Sequence, residues 1–167
     1  MRQPQPPLSS PEALPADWQL RSMELADLDA VETLQRRAFA HPWSAALLRA
    51  ELDHSWSTVL LAEQVDAERR ELMGVVVFWI IHDELHILNV ASSPDFQRRG
   101  VARTLITEAL DRARDRHCRL ATLEVRRSNL PAIALYEGFG FRTVGVRPRY
   151  YAQEGEDALV MERAISL

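Results

Sequence analysis

The chain has 167 residues, 47% of them hydrophobic and 26% charged, and its 24 acidic and 20 basic side chains leave a net charge of −4. That is enough for one domain with a substantial core, and the charge gives no electrostatic basis for binding nucleic acid. No apolar run approaches the roughly twenty residues that span a bilayer, the N-terminus lacks the apolar stretch of a signal peptide, and the lone Cys118 cannot close an internal disulfide. A cytoplasmic protein, monomeric or weakly oligomeric and free of membrane, is expected.

Residues 1–17 carry Pro4, Pro6, Pro7, Pro11 and Pro15 with little periodic hydrophobicity, and read as a disordered or extended lead-in to a domain over 18–167. Trp18 to Met23 reads as a strand. A helix follows from Asp27 to about Phe39, with Leu28, Val31, Leu34 and Ala38 on one side. Pro42 breaks it, and Ser44 caps a second helix to about Leu52 whose inner face carries Leu47 and Leu48. Thr58 to Ala62 is a strand, Val65 to Arg70 a charged turn, and Met73 to Ile81 is apolar enough for a strand buried on both faces. His82-Asp83-Glu84 turns the chain into a strand from Leu85 to Ala91.

Next comes Gln97-Arg98-Arg99-Gly100-Val101-Ala102, followed by a helix to about Arg116 with Val101, Leu105, Ile106, Ala109, Leu110 and Ala113 on its apolar stripe. A glycine turn feeding a helix leaves backbone N–H groups unpaired at the positive end of the helix dipole. Two arginines beside those amides suit a pyrophosphate, although the same letters also describe a solvated basic helix start. Neither Gly-Lys-Ser/Thr nor G-x-G-x-x-G is present, so the loop is neither a Walker loop nor a dinucleotide fingerprint. Leu120 to Val125 alternates as a strand. Asn129 caps a short helix with Pro131 in its first turn and Gly138 at its end. Phe141 to Val146 and Ala158 to Arg163 are two last strands joined by a polar hairpin. The order of elements predicts an α+β fold with a mixed, largely antiparallel sheet and helices on both faces.

Several residues could carry chemistry. Glu124 ends an apolar strand, where partial desolvation would raise its pKa toward the range of a useful base; it could equally be a strand-end glutamate paired to an arginine such as Arg126. Tyr136 lies in the last turn of the following helix, either as a protonated phenol near reacting atoms or as an aromatic packed on the sheet. His41, His54, His82, His86 and His117 show no metal-ligand spacing, and no metal is expected.

The run Q-x-x-G-x-A, then Leu123-Glu124-Val125-Arg126, Ser128-Asn129 and Ala132-Ile133-Ala134-Leu135-Tyr136-Glu137-Gly138-Phe139-Gly140-Phe141 resembles the GNAT superfamily of acetyl-CoA-dependent N-acetyltransferases. Ala40-His41-Pro42-Trp43-Ser44 and Arg149-Tyr150-Tyr151 resemble, within it, the RimI type, which acetylates the N-terminal alanine of a small-subunit ribosomal protein. The resemblance covers roughly residues 18–165 and implies the GNAT acyltransferase fold, with acetyl-CoA as co-substrate. It implies Glu124 as general base and Tyr136 as general acid, and places Gln97, Arg98, Arg99, Gly100, Val101, Ala102 and Asn129 against the CoA. The backbone at Val90, Ala91 and Ser92 would meet the pantetheine arm and acetyl carbonyl, with Trp43, Tyr150 and Tyr151 at the acceptor. Two departures stand out. Ala102 replaces a common glycine, and Ser92-Ser93 replaces the usual valine and acidic residue before Pro94. Two other functions fit a similar pattern: acetylation of a small-molecule amine, and a catalytically idle module that senses acetyl-CoA. Having both Glu124 and Tyr136 in place counts against the second.

Overall fold

Long apolar strands dominate the middle of the chain, and the computed structural model, which describes residues 14–166, assembles them into one seven-stranded sheet. The strands are β1 (Trp18–Ser22), β2 (Ser57–Val65), β3 (Arg70–Ile81), β4 (Glu84–Ser92), β5 (Leu120–Arg126), β6 (Arg142–Tyr151) and β7 (Glu156–Ala164). The helices are α1 (Leu28–Ala38), α2 (Ala45–Leu52), α3 (Val101–Asp115) and α4 (Leu130–Gly138). Sheet order is β1-β2-β3-β4-β5-β7-β6, and every neighbouring pair is antiparallel except β4–β5. The α+β expectation of a mixed, largely antiparallel sheet with helices on both faces therefore holds.

Alternation along the strands splits the apolar residues into two cores. Val59, Leu61, Val75, Val77 and Ala91 pack under Val31 and Leu34 of α1 and Leu48 of α2. On the other face, Leu60, Val76, Phe78, Leu85, Ile87, Leu123 and Val125 pack under the stripe of α3 and Tyr136 of α4. The central position of β3 explains why Met73 to Phe78, except Gly74, which has no side chain, are buried hydrophobics on both sides. Cys118 is a buried core residue just past α3, and burial pushes its thiol up, as suits a packing role.

The local signals are realised at the side-chain level. The Ser44 hydroxyl accepts from the Leu47 amide, and the Asn129 carboxamide accepts from the Ala132 amide. The inner face of α2 and the length of β6 differ from the sequence reading. Leu47 is exposed, and the inner face of α2 is Leu48, Glu51 and Leu52. There a buried Glu51 accepts from the Ser57 hydroxyl and the Trp79 indole N–H. α4 ends at Gly138 as read, and a left-handed glycine, Gly140 at φ +86°, follows two residues on. β6 runs to Tyr151 rather than Val146, because β7 pairs with it that far.

The proline-rich stretch over residues 1–13 lies outside the described residues. Asp17 is tied to the end of β2 through its carbonyl to the Val65 amide and its carboxylate to the Gln64 amide. No helix among the described residues is long and apolar enough to cross a membrane.

Candidate active site

The one parallel pair is where the sheet opens. β4 and β5 are paired from Glu84 opposite Leu120 to Ile87 opposite Leu123, and beyond that neither pairs with the other. Leu88 to Ser92 and Glu124 to Arg126 therefore line a split in the middle of the sheet. A parallel crossover puts a helix start at the carboxyl end of the first strand, the place where open sheets bind ligands.

That helix start is α3. Gly100 precedes it at φ +85°, in the left-handed region, and its carbonyl accepts from the Thr104 amide. The amides of Val101, Ala102 and Arg103 are thus the free ones of the first turn, and no side chain caps them. Ser92, Phe96, Gln97, Arg98, Gly100, Val101, Ala102, Arg103 and Leu135 line an open groove of about 430 Å³ in front of them. Free amides at a helix start, with Arg98 and Arg103 beside them, are suited to a pyrophosphate.

Of the residues singled out for the co-substrate, Ser92, Gln97, Arg98, Gly100, Val101 and Ala102 are in this groove. Arg99 is not among its lining residues, and its guanidinium lies over the Phe96 ring at 5.0 Å. Val90 and Ala91 put their side chains into the two cores, which leaves only their backbone toward the split. Asn129 is spent on the α4 cap. Arg103, held over the Phe139 ring at 5.2 Å, and Leu135 were not picked out from the sequence. Arg103 could have been, since the third residue of a helix presents its amide and side chain to the same end as the preceding glycine.

Glu124 follows the last residue of β5 that pairs with β4 and faces away from the α3 core, since Leu123 and Val125 point into it. Its side chain is 28% exposed and accepts from the Arg147 guanidinium of β6. Of the two readings of Glu124, the arginine-paired carboxylate is the one found, with Arg147 as the arginine. Arg126 is not its partner: that side chain pairs with Glu154 and Glu156 and stacks on the Tyr151 ring at 3.8 Å. Arg147 in turn lies over the Tyr150 ring at 4.4 Å. Burial, then the Glu124 carboxylate, push the Tyr150 phenol up.

Tyr136 is buried in the α3 core, edge-on to Phe141 at 6.0 Å between ring centroids. Burial pushes its phenol up to about 12. Its hydroxyl has no hydrogen-bond partner among the described residues, where no buried polar side-chain atom is left unpaired.

A second hollow of about 380 Å³ is lined by Ala40, His41, Pro42, Arg126, Tyr151, Ala152, Gln153 and Glu154. The His41 imidazole and the Glu154 carboxylate meet across it, joining the loop before α2 to the β6–β7 turn. Tyr151 lines this hollow, whereas Tyr150 belongs to the Glu124–Arg147 cluster. Trp43 is half-buried against the α1–α2 core, because its indole finds apolar neighbours there. Among the described residues no group of three or more His, Cys, Asp or Glu side chains could hold a metal ion.

A fold of this topology, with a helix start facing a split between parallel strands and a carboxylate and phenol nearby, is that of an acyl-CoA-dependent acyltransferase. The model of the acetyltransferase (GNAT) family matches residues 28–141, and the chain belongs to that family. It is an acetyl-CoA-dependent N-acetyltransferase. The sequence is 33% identical over 150 residues to the ribosomal protein bS18-alanine N-acetyltransferase of Escherichia coli (strain K12), covering 89% of this chain and 98% of that one. It is 35% identical over 147 residues to the enzyme of the same name from Salmonella typhimurium, covering 87% and 96%. The crystal structure of the ribosomal-protein-S18-alanine N-acetyltransferase from Escherichia coli matches with a TM-score of 0.80 at 32% identity, over 90% of this chain and 95% of that one. Within the family, the chain is thus similar to the RimI type.

Proposed function

We propose that the protein acetylates the α-amine of a protein N-terminus, that of a ribosomal protein beginning with alanine, as the names of its relatives suggest. The observation that carries this reading is the split between β4 and β5: the free amides of the α3 start follow the end of β4, Glu124 lies on the β5 edge, and Tyr136 is on the α3 face of the sheet. Acetyl-CoA lies with its pyrophosphate on residues 97–103 and its pantetheine arm along the unpaired edge of β4. The acceptor peptide enters through the hollow between residues 40–42 and the β6–β7 turn.

The chemistry follows from the acceptor. Only a neutral amine attacks a thioester carbonyl, and an α-amino group of pKa about 8 is roughly one-tenth neutral at pH 7, against less than a thousandth for lysine at about 10.4. Glu124 takes the surplus proton, directly or through a water. The amine nitrogen bonds to the acetyl carbon, and a tetrahedral oxyanion forms that the β4 amides stabilise. The C–S bond then breaks, the sulfur leaves with its electron pair and takes the Tyr136 proton, and the second proton shed by the nitrogen returns through water to the tyrosinate. The products are the N-acetyl amide and CoA, and transfer is direct, with no acyl-enzyme. Arg147 holds the Glu124 carboxylate in place and yields to the incoming ammonium. The buried Cys118 is no candidate nucleophile.

The test separates binding from chemistry. A Glu124→Gln variant is expected to keep its acetyl-CoA affinity in calorimetry while kcat drops on the order of 10²- to 10⁴-fold, the range general base catalysis supplies. Unchanged turnover at neutral pH would remove Glu124 from the mechanism.

A further inference from the structure

β4 carries one residue too many for its partner. Val77 of β3 faces Asn89 and Phe78 faces Ile87, so Leu88 stands opposite nothing and forms a β-bulge. Packing reports the same thing. Ile87 lies in the α3 core and Leu88 against the α1 core, yet Asn89 also lies on the α1 side, where it meets Gln35; Val90 returns to the α3 core and Ala91 to the α1 core. Two successive side chains on one face break the strand period of two. The break falls at the residue after Ile87, where β4 leaves β5.

Hydrophobicity alone does not select this register. Leu88, Val90 and Ala91 are apolar and either core would accept them. Asn89 is the residue that discriminates. Turned into the α3 core, its carboxamide would face only apolar side chains and lose its partners. On the α1 face it meets Gln35, itself fully buried on the helix stripe between Val31 and Ala38. The two amides are reciprocal: Gln35 Nε2 donates to Asn89 Oδ1 at 2.6 Å, and Asn89 Nδ2 donates to Gln35 Oε1 at 3.4 Å. An apolar residue would fill position 35 at no loss of burial, so the amide there answers to Asn89.

We propose that the Gln35–Asn89 pair is a positioning device that locks the β4 bulge and so aims the strand's free backbone amides at the acyl arm of acetyl-CoA. It rests on the reading of the β4–β5 split given above. Neither residue touches the reacting atoms; both act through the backbone of β4.

The test replaces both amides by apolar isosteres, Gln35→Met with Asn89→Leu, which leaves no buried polar group orphaned. The double variant is expected to melt close to wild type but to bind acetyl-CoA more weakly and turn over about 10- to 100-fold more slowly, the cost of a misplacement of about 1 Å. Exchanging the two amides (Gln35→Asn with Asn89→Gln) keeps a pair and is expected to restore both values to within severalfold. Should the apolar variant not fold, Asn89→Ala is expected to melt lower, because the buried Gln35 loses its partner, and to show the same losses in acetyl-CoA affinity and kcat. Wild-type affinity and kcat in the folded apolar variant would reduce the pair to ordinary core packing, and so would equal impairment in the folded exchange variant. Calorimetry needs no acceptor. If the wild type binds acetyl-CoA but acetylates no peptide, the acceptor assignment fails while the positioning role is still decided.

Discussion

At the scale of single residues, the two proposed proton carriers sit in opposite environments. Glu124 is partly exposed on β5 and held by Arg147, and Tyr136 is buried in the core. Burial lifts the Tyr136 phenol to about 12, so it stays protonated far above the pH at which an ordinary phenol near 10 ionises. The pH profile should reflect this. With an N-terminal peptide, kcat/KM is expected to climb as the acceptor amine loses its proton near pH 8, then to hold level to about pH 10.5. A falling limb near pH 10 would show that Tyr136 titrates normally or that another group is the acid. The same shift acts on stability. Between pH 10 and about 12 the unfolded tyrosine has lost its proton and the folded one has kept it, so stability declines as pH rises through that window. Circular dichroism at each pH keeps the two effects apart.

At the scale of elements, the phosphate groove depends on how closely α3 sits on the sheet. Gly74 of β3 lies opposite Ser92, and a Cβ there would come within 2.6 Å of Val101 Cγ1 and 2.8 Å of the Ala91 carbonyl oxygen. Only glycine lets the first turn of α3 approach. Gly74→Ala should destabilise the fold by about 1–3 kcal/mol, as overpacking does, and weaken acetyl-CoA binding by pushing Val101 outward. Chemical denaturation and calorimetry on the one variant check both, and wild-type values in both would show that the helix start has slack. Gly100 differs: nothing lies within 4 Å of a Cβ built there, and its left-handed φ is what asks for glycine. The contrast between these two glycines also shows what the sequence could reveal. Gly100, the Ser44 and Asn129 caps and the stripe of α3 are local signals, and they are legible because cap and helix period depend on residues three or four apart. Gly74, the Leu88 bulge and the Glu124–Arg147 pair join elements distant in sequence, and no spacing rule announces them. Leu47 was misplaced for the same reason, since α2 is short and its orientation is set by Glu51 reaching Ser57 and Trp79.

At the scale of the whole molecule, an otherwise antiparallel sheet contains one parallel pair, and the split it creates passes between two separate cores. A groove at the α3 start and a hollow at the β6–β7 turn give two separate approaches, one suited to a phosphorylated co-substrate and the other to a peptide. The central claim, that the acceptor is a protein N-terminus, is tested most directly by one reaction. A peptide beginning with alanine and carrying an internal lysine is incubated with acetyl-CoA and the protein, with spermidine present as a competing amine, and the acetyl group is located by tandem mass spectrometry. The account predicts acetylation on the α-amine of the first residue. Acetyl groups found mainly on the lysine, or only on the polyamine, would contradict it.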